Sequence, residues 1–307
     1  MSNDYKMHNI LAGIGSHAST YPLDCCEVHK DNLNSVGKIR TNRNLIENYQ
    51  TYQITKDSKK SKSVINPPLF YDPDKWDTLT DEQLDAPIVE KHSPPSELHL
   101  ELAFDHLFDH FVNACPPEIV NKWVQNALVT KKPYHGGTFE GNQVKKMLLA
   151  VPFLRQLAEN SCSFITMEFV EAFHQFNLVR TSCFGTLDEN DYVSNIQHFK
   201  RSIESLEEST GLKIIPKFHV IFLHLQKYCE KYKRGLGIVA EQTGEALHSK
   251  CNKFFGNYNI TGRDPLDPAL PEIICNAAMK FNALNIMEDD SVDIFDYNYE
   301  SDSEESD

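Results

Sequence analysis

The sequence predicts a mainly α protein, an irregular helical domain that ends in a disordered acidic tail. Three observations carry this reading. From Ser96 to Leu284 apolar residues recur at spacings of three and four, while strand candidates reduce to "KIIP" and a residue or two ahead of Asp4. Between Glu288 and Asp307 there are ten acidic residues and no basic one, a stretch that repels itself and buries little. Four parts follow: 1–29, a short helix with a Cys/His loop; 30–95, an irregular linker; 96–286, the helical domain; and 287–307, the tail.

The first helix rests on Met7, Ile10, Leu11 and Ile14 at i, i+3, i+4 and i+7, with Asn3 or Asp4 as N-cap and Gly13 and Gly15 at its exit. Residues 30–95 carry no sustained period and are interrupted by "NPPLF" and "DAP", so they read as a connection, with disorder expected over much of 48–66 around the lysine run "KDSKKSK". "SELHLELAFDHLFDHFVNA" then forms a helix that stops at Pro116-Pro117, and "PPEIVNKWVQNAL" a second with Ile119, Val120, Trp123, Val124 and Ala127 on one stripe. "QVKKMLLAVPFLRQLA" breaks or kinks at Pro152. "SFITMEFVEAFHQFNLVRTSCFG" and "ENDYVSNIQHFKRSIESLEEST" give two longer helices, the second through Tyr192, Ile196, Phe199, Ile203 and Leu206. "IPKFHVIFLHLQKYCEKY" opens on a first-turn proline, and "GLGIVAEQTGEALHSKC" and "PEIICNAAMKFNAL" complete the domain.

The tail carries ten of the net fourteen negative charges, and it hides two locally basic stretches. Residues 30–62 hold eight Lys/Arg against three acids, and 211–253 again eight against three; residues 71–109 are acidic, with eleven Asp/Glu against two lysines. Whole-chain charge therefore does not argue against a nucleic-acid partner. No segment approaches eighteen uninterrupted apolar residues and the N-terminus has no basic leader, so an intracellular protein without a membrane partner is expected. The eight cysteines have no repeated CxxC pair, which in that setting reads as free, mostly buried thiols.

Four constellations could carry chemistry. Glu241, Glu245 and His248 share one face if 239–258 is helical, which suits a metal site, an acid/base site or a solvated surface equally. His17, Cys26 and His29 offer zinc ligands, Cys26 and His29 at CxxH spacing. Against this, adjacent cysteines such as Cys25 and Cys26 seldom ligate one ion together and no fourth ligand is evident, so a buried-thiol loop is the simpler reading. His106 and His110 lie at i, i+4, but Phe104, Leu107, Phe108 and Phe111 define the buried stripe and turn Asp105 and Asp109 outward. His219 and His224 are five residues apart, about 140° around a continuous helix, so they face different ways.

Taken in order, "DYKMHNILAGIGSHASTYP", "PPSELHLELAFDHLF", "YHGGTFEGN", "FHQFNLVRTSCFG", "PKFHVIFLHLQKYC" and "GLGIVAEQTGEALHSK" resemble the core of transposase-like proteins of animal mobile elements and of their host copies, over most of residues 2–286. The resemblance implies an RNase H-like DDE core, in which carboxylates hold two Mg²⁺ or Mn²⁺ ions that activate a hydroxyl and stabilise the leaving oxygen. Asp4 matches an acid that follows a core strand, ahead of the residual core helix; Glu241, and less closely Glu245, matches the acid on the last core helix. Two departures matter. The related pattern has a CxxC after "STYP", where this chain has Leu23 and Cys26, and only three residues precede Asp4, so the earlier strands with their first aspartate are expected to be missing. The expectation is a truncated, transposon-derived protein without strand-transfer activity. It would keep a vestigial piece of the RNase H-like core and bind DNA weakly through Lys213, Lys217, Lys231, Lys233, Lys250 and Lys253, which would place it in the nucleus. A protein-interaction module working through the acidic tail and a residual metal-dependent nuclease are the competing expectations.

Overall fold

A computed structural model of the chain describes residues 5–16, 18–88, 97–130, 139, 141–185, 191–233 and 235–236. Among these residues the protein is mainly helical, and β structure is limited to three isolated antiparallel bridges, Ile14 with Val64, Cys26 with Ile39 and Thr41 with Pro87. Residues 1–4 with Asp4, the segment 239–258 with Glu241, Glu245, His248, Lys250 and Lys253, His17, and the tail at 287–307 lie outside the described residues. No helix among the described residues is long and apolar enough to cross a membrane.

The N-terminal third begins with α1 (Tyr5–Leu11). The helix stops there because Gly13 adopts φ +72°, a conformation that favours glycine, and a Cβ at that position would sit 2.1 Å from the Asn66 carbonyl oxygen. Ile14 therefore leaves the expected helical stripe and instead pairs with Val64, while Ile10 is exposed. The buried face of α1 is polar at two positions: His8 Nδ1 approaches Asp24 at 3.4 Å and Asn9 Nδ2 donates to the Pro22 carbonyl at 3.2 Å.

The described part of the expected linker, residues 30–88, is not as irregular as its weak periodicity suggests. It contains α2 (Asn42–Thr55), a 3₁₀ turn (Pro73–Thr78) and α3 (Asp81–Asp85). Within α2 only Leu45 and Ile46 are buried apolar residues, so a hydrophobic pattern has little to report. Polar ties hold the helix instead. Thr41 and Asn44 form a reciprocal capping box, and Arg43 grips Asp81 and Asp85 at 2.6 Å each. The expected disorder over 48–66 fails for the same reason: Ser61, Ser63 and Val64 are buried, and Val64 joins Ala12, Ile14, Leu45 and Ile88 in a small core of its own.

The helical body runs α4 (Glu97–Ala114), α5 (Pro117–Asn126), α6 (Gly141–Leu149), α7 (Val151–Ser161), α8 (Phe164–Phe184), α9 (Asp191–Thr210), α10 (Pro216–Leu223) and α11 (Leu225–Tyr232). Helix α8 is central. It is capped by Ser163, whose hydroxyl accepts the Thr166 N–H, and it buries Phe169, Val170, Ala172, Phe173, Phe176, Val179 and Cys183 around much of its circumference, with α9 and α7 as its principal neighbours. Pro152 separates α6 from α7, as its missing N–H and fixed φ require. The Ala150 carbonyl at the start of α7 accepts both the Leu154 N–H at 3.2 Å and the Trp123 indole N–H at 3.1 Å. Trp123 sits wholly buried among Phe111 (5.4 Å between ring centroids) and Phe173 (4.9 Å). Residues Leu23, Cys25, Cys26, Val28 and Leu33 from the N-terminal loop belong to this same core.

Candidate metal centre

The chain crosses the base of the helical body as a loop, residues 20–33, whose path is set by backbone bonds. Glu27 N–H donates to the Lys38 carbonyl at 2.7 Å and Arg40 N–H to the Cys25 carbonyl at 3.0 Å, a two-bond antiparallel ladder around the Cys26–Ile39 bridge. Gly37 permits the close approach, since a Cβ there would meet the Val28 nitrogen at 2.7 Å. Arg40 lies beneath the loop, fully buried, and its guanidinium donates to the carbonyls of Leu23 (2.9 Å), Cys26 (3.3 Å) and Lys62 (2.8 Å). In an extended strand Cys25 and Cys26 would point to opposite faces. The bend at Asp24–Cys25 breaks that alternation, and both thiols are buried on the side of the helical body.

What they meet there is the junction of α10 and α11. The helix does not continue through His224, whose φ −122° and ψ −29° separate the two segments. The 140° divergence expected for His219 and His224 on one helix therefore does not hold. Both imidazoles turn inward, with Nε2 to Nε2 at 3.1 Å. His219 Nε2 also lies 3.3 Å from Cys26 Sγ, and Cys25 Sγ, Cys26 Sγ and a ring nitrogen of His224 all fall within 4.8 Å of one another. All four residues are at most 3% exposed.

The protonation of this group is strongly biased. His219 Nδ1–H donates to the Leu33 carbonyl at 2.7 Å, so in neutral His219 the lone pair is on Nε2, facing Cys26 and His224. A hydrogen bond from Cys25, opposed by burial, draws the Cys26 thiol down from its ordinary value. That same hydrogen bond, with burial and the neighbouring Cys26 charge, pushes Cys25 well up. The two shifts run in opposite directions, so Cys26 is the more acidic member of the pair.

Of the residues expected to bind metal, Cys26 is at this centre and His29 is elsewhere. His29 is half-buried, its Nδ1 accepts the Asp31 backbone N–H at 3.2 Å and sits 3.4 Å from the Asp31 carboxylate, and its ring packs edge-on against Tyr21. The CxxH spacing is present in the chain, but the turn at 29–32 directs the imidazole to Asp31. The His106/His110 pair is not a wholly solvated face either. Asp105 is buried and accepts the Phe139 N–H at 3.0 Å, and His106 Nε2 meets the Lys213 carbonyl at 2.9 Å, so both serve to fasten loops to α4. Of the lysines expected to meet nucleic acid, Lys213, Lys231 and Lys233 are exposed. Lys217 is half-buried; burial pulls its ammonium down from the ordinary value, and Asp105 opposes the shift.

Cys25, His219 and His224 were legible only as separate signals, because nothing in their spacing links residue 26 to residue 219. No family model matches the chain, and no characterised protein matches it.

Proposed function

We propose that the chain is a non-catalytic module of transposase-like descent, in which the Cys/His centre is architectural and nucleic acid is contacted weakly through exposed lysines. The observation that carries this is the 3.3 Å approach of Cys26 Sγ to His219 Nε2. It joins the loop that follows "STYP" to the motif "PKFHVIFLHLQKYC", from Cys26 to His219 193 residues further along the chain. The centre is enclosed, with Cys26 and His219 both at 0% exposure, and a phosphodiester has no route to it. An enclosed group of this kind favours a role in supporting the fold. Two-metal phosphoryl transfer would instead need the carboxylates Asp4, Glu241 and Glu245.

The test incubates the purified chain with labelled duplex and single-stranded DNA and Mn²⁺, beside an Asp4→Ala/Glu241→Ala double variant. Equal background cleavage from both proteins is expected. Weak, sequence-independent binding is also expected, falling steeply between low and moderate salt, with a shallower salt slope in Lys213→Ala/Lys231→Ala/Lys233→Ala. Metal-dependent cleavage that the double variant abolishes would identify a working nuclease and overturn the reading.

A further inference from the structure

We propose that Cys25 Sγ, Cys26 Sγ, His219 Nε2 and His224 Nε2 hold one Zn²⁺ ion in a closed four-coordinate site that fastens the N-terminal loop to the helical body. The donor set is two thiols and two imidazoles, the combination that structural zinc takes. Tetrahedral zinc with bonds of about 2.0–2.1 Å to nitrogen and about 2.3 Å to sulfur places its ligands about 3.3 Å apart for N···N and about 3.5 Å for N···S. The chain holds its own at 3.1 Å for His219 to His224 and 3.3 Å for His219 to Cys26.

Protons alone serve this arrangement poorly. The Leu33 carbonyl fixes the Nδ1 proton of His219, which leaves one Nε2 lone pair facing both a sulfur and a second imidazole nitrogen. A single lone pair can accept from only one of them. A cation at the centre satisfies all of these lone pairs at once. Two thiolates also neutralise a divalent ion, so the filled site carries no net charge into the core. Zinc binds both sulfurs as thiolates, and the thiol protons pass to solvent as it enters.

The surroundings are those of a held ligand set. The His219–Leu33 hydrogen bond orients an imidazole ligand from its far side. Arg40, through its bonds to the Leu23 and Cys26 carbonyls, fixes the backbone that carries both thiols. The clasp closes a loop of nearly two hundred residues, where a cross-link restricts the unfolded chain most. The inference does not depend on the transposase-like reading, since a failed DNA assay leaves the metal measurements untouched.

The experiment supplies the reduced full chain with Zn²⁺, removes the excess, and measures metal content and the X-ray absorption fine structure of the bound zinc. One zinc per chain with two sulfur and two nitrogen neighbours is expected. Cys26→Ser and His219→Gln should lose it, His29→Gln should keep it, and circular dichroism should report helical content for all of them. The spectrum of the unaltered protein decides the case even if a variant fails to fold. No retained zinc, a first shell of nitrogen and oxygen alone, one sulfur instead of two, a Cys25–Cys26 disulfide in freshly reduced protein, or loss of zinc in His29→Gln would each overturn the four-ligand assignment.

Discussion

Arg40 holds Cys26 by a guanidinium hydrogen bond to its carbonyl at 3.3 Å, and its backbone N–H donates to the carbonyl of the neighbouring Cys25 at 3.0 Å. A fully buried arginine thus acts as the floor of the loop that presents two thiols to the helical body. Burial pulls its guanidinium down from the ordinary value, with Glu27 foremost among the groups that oppose the shift. The charge is retained because three carbonyls use it.

Arg40→Met should therefore destabilise the protein sharply. The carbonyls of Leu23, Cys26 and Lys62 would stay buried without their donor, at a cost of about 3 kcal/mol or more in total. Arg40→Lys should recover only part of this, since one ammonium cannot reproduce the planar fork. Urea unfolding at neutral pH reads both values. An Arg40→Met variant within about 1 kcal/mol of the parent would mean that water replaces the guanidinium.

A second prediction separates two aromatic residues that look alike in the sequence. Trp123 is wholly buried against Phe111 and Phe173, whereas Phe164 at the start of α8 is 72% exposed. Trp123→Ala should cost about 3–5 kcal/mol through the cavity it leaves. Phe164→Ala should stay within about 0.5 kcal/mol. Equal losses would refute the packing described for α5 and α8.

The third concerns acid. Burial, with His106 as a second cause, lowers His110 from its ordinary value of 6.5, while Asp109 opposes the shift. Above 6.5 the residue is neutral in folded and unfolded chains alike and contributes no pH dependence. As pH falls below 6.5 the unfolded chain takes up a proton that the folded chain resists, so stability declines until the folded value has been passed. His110→Gln should flatten the fall in melting temperature between pH 7 and pH 5. An unchanged slope would assign the acid sensitivity to other groups.

The helices of the body and most of their faces were legible in the sequence. The stripe through Tyr192, Ile196, Phe199, Ile203 and Leu206 is buried along α9, and Pro152 and Pro216 fall where α7 and α10 begin. These are local properties, set by a 3.6-residue period and by the geometry of one ring. Helix α2 escaped because its stability comes from capping and from Arg43 reaching Asp81 and Asp85, partners that no periodicity encodes. The Cys/His centre exists only through packing. Cys26 was a candidate in the sequence, but its nearest suitor there, His29, is taken up by Asp31, and the imidazoles it meets come from residues 219 and 224. His219 and His224 converge only because the chain breaks helix at His224, and Cys25 joins Cys26 only because the backbone bends at Asp24–Cys25. Ligands on separate segments become neighbours through packing, and spacing along the chain carries no record of that distance.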